Sequence, residues 1–236
     1  MVTKEKGVGL MAETLQVKPG LTGNQLKILA MIAMTCDHVG LQLLPKVFVL
    51  RLIGRLALPI YAYMIAEGCR YTRDRKNYLL RLVSLAAVCQ VVYFFAMGSL
   101  YQCILVTFSL SVGLIYLMDS MKAKIRWGRL SLAVWAVFFL CEILPELLPG
   151  TDFAIDYGIT GVLLPVMIYA WNPVRGLVTG LVLMGLQHGG FQWYALAAIP
   201  LLMLYNGQRG KWKIGKLFYF YYPAHLVVIY LISLLL

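Results

Sequence analysis

The chain is short of charge. Only 13% of its residues are charged, about half the share of an ordinary soluble domain, and its 10 acidic residues are outnumbered by 21 basic ones. With 61% hydrophobic residues and a mean hydropathy of +0.78, this excludes a soluble globular fold, which needs more polar surface than the chain can supply. Cysteine is sparse too. Cys36, Cys69, Cys89, Cys103 and Cys141 all fall within apolar runs and none has CxxC spacing, so neither a disulfide framework nor a metal site is expected. Short alternating apolar segments are missing, which excludes a membrane barrel. The lack of an internal repeat counts against the inverted-repeat transporters. No cleavable signal peptide is expected, because a polar, basic lead of about two dozen residues comes before the first apolar run.

What is present is a series of apolar runs of membrane length. They predict spans at about 25–44, 47–69, 79–97, 103–118, 130–144, 153–171, 176–186, 191–205 and 217–236. The basic residues cluster in every second connection, in R-Y-T-R-D-R-K-N-Y-L-L-R, D-S-M-K-A-K-I-R-W-G-R and N-G-Q-R-G-K-W-K-I-G-K, whereas P-E-L-L-P-G-T-D is acidic. The positive-inside rule therefore puts those basic loops and the N-terminus in the cytoplasm. The expected fold is all-α, a polytopic transmembrane bundle of about nine spans, or eight to ten if the short ones are tilted or re-entrant. Residues 1–24 would be a cytoplasmic lead and 25–236 a single membrane domain. The net charge of +11 is accounted for by these loops, so no nucleic-acid partner is expected. Membrane lipid is the expected surrounding.

Against this background the stretch from 34 to 67 stands out. It carries Asp37, His38, Arg51, Arg55 and Glu67 inside otherwise apolar runs, where each ionisable group costs about 2.5–3.5 kcal/mol at a helix centre and so requires a partner, water or a task. His38 is roughly 9 Å below the outer end of the first span and Arg55 roughly 12 Å below that of the second. The short turn between them makes the two spans antiparallel neighbours, so His38 and Arg55 are expected to meet at similar depth inside the bundle. Arg51 and Arg55 share a helix face, and Pro59 frees the Arg55 carbonyl and bends the span. Glu67 lies roughly 18 Å below Arg55, at the inner mouth with Arg70 or Arg81 as its partner. Asp156, Tyr157, His188 and His225 belong to the same outer half as His38. Two readings compete at Asp37 and the arginines, a reactive layer and a structural ion pair. His38 is either a base or a packing histidine, His188 reads first as interfacial, and the aromatic run at 218–222 as an interfacial belt.

At these residues the sequence resembles the TraX family, the conjugal-transfer pilin acetylases and their chromosomal relatives. The resemblance rests on L-T-G-N-Q-L-K-I-L-A-M-I-A-M-T-C-D-H-V-G, on R-L-I-G-R-L-A-L-P-I-Y-A-Y-M-I-A-E-G, on Y-T-R-D-R-K-N-Y-L-L-R-L and more weakly on Y-F-Y-Y-P-A-H-L. The last motif is also similar to the wider class of polytopic membrane acyltransferases. The resemblance implies transfer of an acetyl group from cytosolic acetyl-CoA, as donor substrate, to an amine or hydroxyl, by a multi-pass enzyme of the bacterial inner membrane. The acceptor, whether pilin-like peptide, glycan or small molecule, does not carry over.

Acyl transfer requires a base, donors for the oxyanion and a site for the anionic donor. His38 is the expected base, since imidazole titrates nearest neutral pH. Asp37 neighbours it, and Arg55 would stabilise the thioester oxygen. Arg51, Glu67, Arg70, Asp156, His188, Tyr222 and His225 are the expected substrate-binding residues, with no metal. The alternative is a small transporter or proton-coupled carrier using the same buried His, Asp and Arg. A non-catalytic envelope-assembly factor is a third reading, which leaves the buried charges unexplained.

Overall fold

The T-G-N-Q sequence starts the first helix. Thr22 accepts a hydrogen bond from the Gln25 N–H while the Gln25 side chain accepts one from Thr22, a capping box that satisfies two otherwise orphaned donors. Helix α1 (Gly23–Gln42) stops just before Pro45, and α2 (Phe48–Gly54) returns along it. The chain then breaks at Arg55–Leu56 before resuming as α3 (Ala57–Tyr71). Pro59 explains the break: its ring clashes with the carbonyl four residues earlier, that of Arg55, and it offers no N–H to bond there.

The computed structural model describes residues 19–120, 123–212 and 215–235. The expected N-terminal lead falls outside them over 1–18, as do 121–122 and 213–214 of the second and third basic loops. Helix α4 (Arg75–Met97) is capped by Asp74, and α5 (Ile104–Ser120) follows a turn. Next come α6 (Ala123–Phe138), a π-helical turn (Phe139–Ile143) and α7 (Leu144–Leu147). Helices α8 (Gly158–Ala170) and α9 (Pro173–His188) form a hairpin, with Pro173 at the first helical position, where a missing N–H costs nothing. A 3-10 turn (Gly190–Ala197), α10 (Ala198–Met203) and α11 (Gly215–Ser233) complete the chain.

Among the described residues the architecture is all-helical, with two isolated bridges, Leu21 to Tyr205 and Gln102 to Ile155. Among the described residues, three helical stretches are long and apolar enough to cross a membrane: Phe48–Tyr71, Arg75–Phe95 and Trp127–Leu147. Four shorter ones, Ile104–Ser120, Gly158–Ala170, Gly190–Met203 and Phe220–Ser233, are apolar as well. The apolar run at 191–205 is not one α-helix. Gly189 and Gly190 both take positive φ, which ends α9, and the run continues as the 3-10 turn followed by α10.

The main core joins α1, α3, α4, α5, α8, α9, α10 and α11 through buried side chains such as Leu26, Ile60, Ile115, Leu164, Leu177 and Leu226. A smaller cluster of Leu114, Val137, Cys141, Ile155 and Val162 seats the π-helical turn against α5 and α8. Within the hairpin, α9 approaches α8 so closely that a Cβ on Gly176 would overlap the Met167 carbonyl. Small residues at such crossings let two backbones pack where lipid supplies no hydrophobic drive. Because the obstacle is backbone, Gly176→Val should destabilise the protein by about 1–3 kcal/mol. An unchanged midpoint in thermal unfolding of the detergent-solubilised chain would contradict this packing.

Candidate active site

Asp37, on the later half of α1, receives both arginines of the facing segment. Arg51 Nη1 lies 3.0 Å from Oδ2 and Arg55 Nη2 lies 2.6 Å from Oδ1. The carboxylate is thus gripped at both oxygens by two guanidinium groups four residues apart, the charge-assisted geometry that a poorly hydrated ion pair needs. Gly54 makes the approach possible, since a Cβ there would overlap the Asp37 carboxylate and its Cβ. Arg55 continues the network with its other Nη, which donates to Tyr157 Oη at 3.1 Å and Gln192 Oε1 at 3.3 Å. Its buried Nε has no hydrogen-bond partner among the described residues.

His38 faces elsewhere. Adjacent helix positions point about 100° apart, and while Asp37 meets α2 and the break after it, His38 meets α11. Its Nδ1 lies 2.9 Å from the Met34 carbonyl and 3.3 Å from His225 Nε2, with the two rings edge to face at 5.0 Å. His225 Nδ1 lies 3.0 Å from the Tyr221 carbonyl. Below this pair the Tyr221 hydroxyl is hydrogen-bonded to Thr35 Oγ1, which in turn donates to the Met31 carbonyl at 2.9 Å. The predicted meeting of His38 with Arg55 is therefore replaced by two separate pairs: Arg55 is held by Asp37, and His38 by His225.

Asp156 does not orient His38. It accepts from Tyr101 Oη at 2.6 Å, and its backbone is pinned by Thr107 Oγ1 at 2.8 Å and by Gln102. Asp152 in the same connection accepts from Ser99 Oγ and the Leu100 N–H, and these bonds hold its carboxyl below the usual range. Tyr157, the partner of Arg55, takes a left-handed conformation with φ of 60° at the start of α8, a strained setting for an aromatic residue. Glu142 stabilises this turn. From the π-helical segment its Oε1 accepts from the Ile159 N–H at 2.7 Å and from Gln187 Nε2 at 3.1 Å, capping the start of α8. His188 is exposed at the rim, with Nε2 3.3 Å from the Tyr157 carbonyl. Tyr222 is buried against His225, ring centroids 5.4 Å apart.

Glu67 and Arg70 form a distinct cluster at the other end of α3. Arg70 Nη1 lies 3.0 Å from Glu67 Oε1, and its Nη2 donates to the Ile168 carbonyl at 2.6 Å and the Tyr169 carbonyl at 3.1 Å. Arg70 thus closes the C-terminus of α8, where a cation and donors are favoured. Tyr205 Oη reaches Glu67 Oε2 at 3.4 Å. Nearby, Arg75 pairs with Asp119 at 2.8 Å and Tyr169 Oη donates to the same carboxylate at 2.6 Å. Of Arg70 and Arg81, the two partners that the sequence offers Glu67, the structure pairs it with Arg70.

Sequence reasoning passed over Glu142 and Gln192. A lone acid in an apolar run was a usable signal for Glu142. For Gln192, Tyr101, Thr35 and Tyr221 nothing in the sequence names the partner. Among the described residues, no cluster of His, Cys, Asp or Glu could hold a metal.

Helices of membrane length, together with a buried polar layer and a histidine pair, define a helical membrane protein with a polar site inside its bundle. The chain belongs to the TraX protein family, whose model matches residues 22–233. It is 26% identical to a probable fimbrial assembly protein, FimC of serogroup H1, from Dichelobacter nodosus over 87% of this chain and 93% of that protein. It is also 53% identical to an uncharacterised protein of Rickettsia prowazekii (strain Madrid E) over 38 residues, 16% of this chain and 15% of that one. No solved structure matches.

With Asp37 removed, two arginines face each other without a counter-ion. Asp37→Asn should therefore cost about 3–5 kcal/mol of stability, read as the shift in equilibrium unfolding in mixed micelles. A loss below about 1 kcal/mol would mark the pair as no stronger than a surface ion pair.

Proposed function

We propose that this protein is an integral membrane acyltransferase that moves an acetyl group from cytosolic acetyl-CoA to an amine or hydroxyl within or across the bacterial inner membrane. The observation that supports it best is the His38–His225 pair, 3.3 Å apart within an otherwise apolar bundle. A neutral imidazole held by a second group is the ordinary form of a general base. In the proposed reaction His38 takes the proton of the acceptor as its nitrogen or oxygen attacks the thioester carbonyl. The oxyanion collapses, the C–S bond breaks, and the proton passes to the departing CoA thiolate. Arg55 Nε, a buried guanidinium donor with no hydrogen-bond partner among the described residues, is the group we assign to the thioester oxygen. Asp37 and Arg51 hold Arg55 in place.

The proposed arrangement in the membrane is about nine crossings with the N-terminus inside. Chain directions support it. The contacts Thr35–Tyr221 and His38–His225 advance together along both helices, so α1 and α11 run parallel, as first and ninth crossings must. Arg55 contacts the start of α8 and Arg70 its end, so α3 and α8 run parallel, as second and sixth crossings must. In this arrangement Arg73, Lys76, Arg81, Arg209 and Lys211, all exposed, face the cytoplasm and attract the anionic nucleotide of the donor. Arg70 is a weaker candidate for that role than its sequence position suggests, because carbonyls and Glu67 already occupy its donors. A pilin-like peptide is the first acceptor to test, given the fimbrial name of the Dichelobacter relative; glycans and small molecules come next.

Membranes carrying His38→Ala should lose about 10²–10⁴-fold in acetyl-CoA-dependent labelling of the acceptor, while the purified variant keeps its helical circular dichroism and melting temperature. Undiminished transfer would remove His38 from the chemistry. Solute uptake into liposomes without any acyl donor would favour a carrier instead.

A further inference from the structure

The two histidines allow one consistent assignment of hydrogens. A carbonyl oxygen only accepts, and both Nδ1 atoms lie against carbonyls, His38 at 2.9 Å from Met34 and His225 at 3.0 Å from Tyr221. Both Nδ1 atoms therefore carry the hydrogen. A neutral imidazole has a single N–H, so His225 Nε2 is an acceptor, and the group facing it at 3.3 Å is His38 Nδ1–H. That hydrogen is shared between the Met34 carbonyl and His225. Nε2 of His38 is left as a bare lone pair.

We propose that His225 is a positioning residue that fixes the tautomer of His38, making Nε2 the basic atom. It does for His38 what the buried acid of a serine-hydrolase triad does for its histidine, accepting from Nδ1–H so that the opposite nitrogen receives the proton. Unlike an acid, a neutral imidazole brings no second negative charge into a layer where Asp37 is already committed to two arginines. His225 is itself well fixed. It is buried, its ring is parallel to that of Tyr221 at 5.3 Å and edge-on to that of Tyr222 at 5.4 Å. Tyr221 in turn is tied by its hydroxyl to Thr35, which lies one turn before His38 on the same helix. The two rings are thus held in register by two contacts between the same pair of helices.

The catalytic half of this inference rests on the acyltransferase reading; the tautomer does not. The test uses the full chain in lipid nanodiscs, labelled with 15N-histidine. With only 3 histidines in the sequence, each ring can be assigned by replacing one histidine at a time. In the wild type, His38 should show a protonated Nδ1 and an unprotonated Nε2. His225→Gln keeps an acceptor in the side-chain carbonyl and should preserve that pattern and retain more of kcat than the next variant. His225→Phe keeps the bulk but not the acceptor; it should move His38 toward the Nε2–H form and lower kcat by about tenfold or more with little change in KM. An Nε2–H His38 in the wild type overturns the proposal, as does a His225→Phe protein with the wild-type tautomer, in which case the Met34 carbonyl alone sets it. If His225→Phe does not fold, the wild-type spectrum and His225→Gln still decide. A wild type with the stated tautomer that transfers no acetyl group supports the pairing and overturns the acyltransferase reading instead.

Discussion

Asp37 is the constraint on which the rest of the bundle depends. One carboxylate in an apolar helix holds Arg51 and Arg55 at 3.0 and 2.6 Å, and through Arg55 it reaches Tyr157 and Gln192. Four separate pieces of chain are thereby fixed to one another: α1, the α2–α3 break, the start of α8 and the turn after α9. In water such a network would contribute little. Where water is excluded, each member is costly to leave unpaired, so the network selects the one packing in which every member is satisfied except Arg55 Nε.

Because Asp37 fixes the rotation of α1, it also decides where His38 points. Neighbouring residues on a helix diverge by about 100°, so anchoring Asp37 to the arginines turns His38 toward α11. The ion pairs and the histidine pair are kept on different faces of one helix. The sequence leaves Asp37 and the arginines between a reactive layer and a structural ion pair. In the geometry Asp37 and the arginines form a nearly closed ion network, and the histidines form a second pair beside it.

The sequence made part of this legible. Apolar runs gave nearly every helix, Pro59 gave the break at Arg55–Leu56, and the charges in the 34–67 stretch gave Asp37, Arg51 and Arg55 as one layer, since an intramembrane charge must find a partner and few were on offer. For Glu67 the sequence leaves Arg70 and Arg81 as partners, and the fold selects Arg70. The rest was hidden for physical reasons. Depth estimates say which residues share a level but not which way they face, so they bring His38 to Arg55 and not to His225, which lies 187 positions away. Neutral hydrogen bonders such as Gln192 and Tyr101 leave no hydropathy signal. The 3-10 turn at Gly190–Ala197 is as apolar as a span, and only the paired glycines before it mark the difference.

The two polar clusters at the ends of α3 are linked by a rod of fixed length. Arg55 and Arg70 are 15 positions apart, about 22 Å along a helix, and they grip the two ends of α8, whose 13 residues rise about 20 Å. One arginine meets the strained tyrosine that begins α8 and the other meets the carbonyls that end it. The match of lengths means that α3 and α8 cannot slide past each other without breaking an arginine contact at each end.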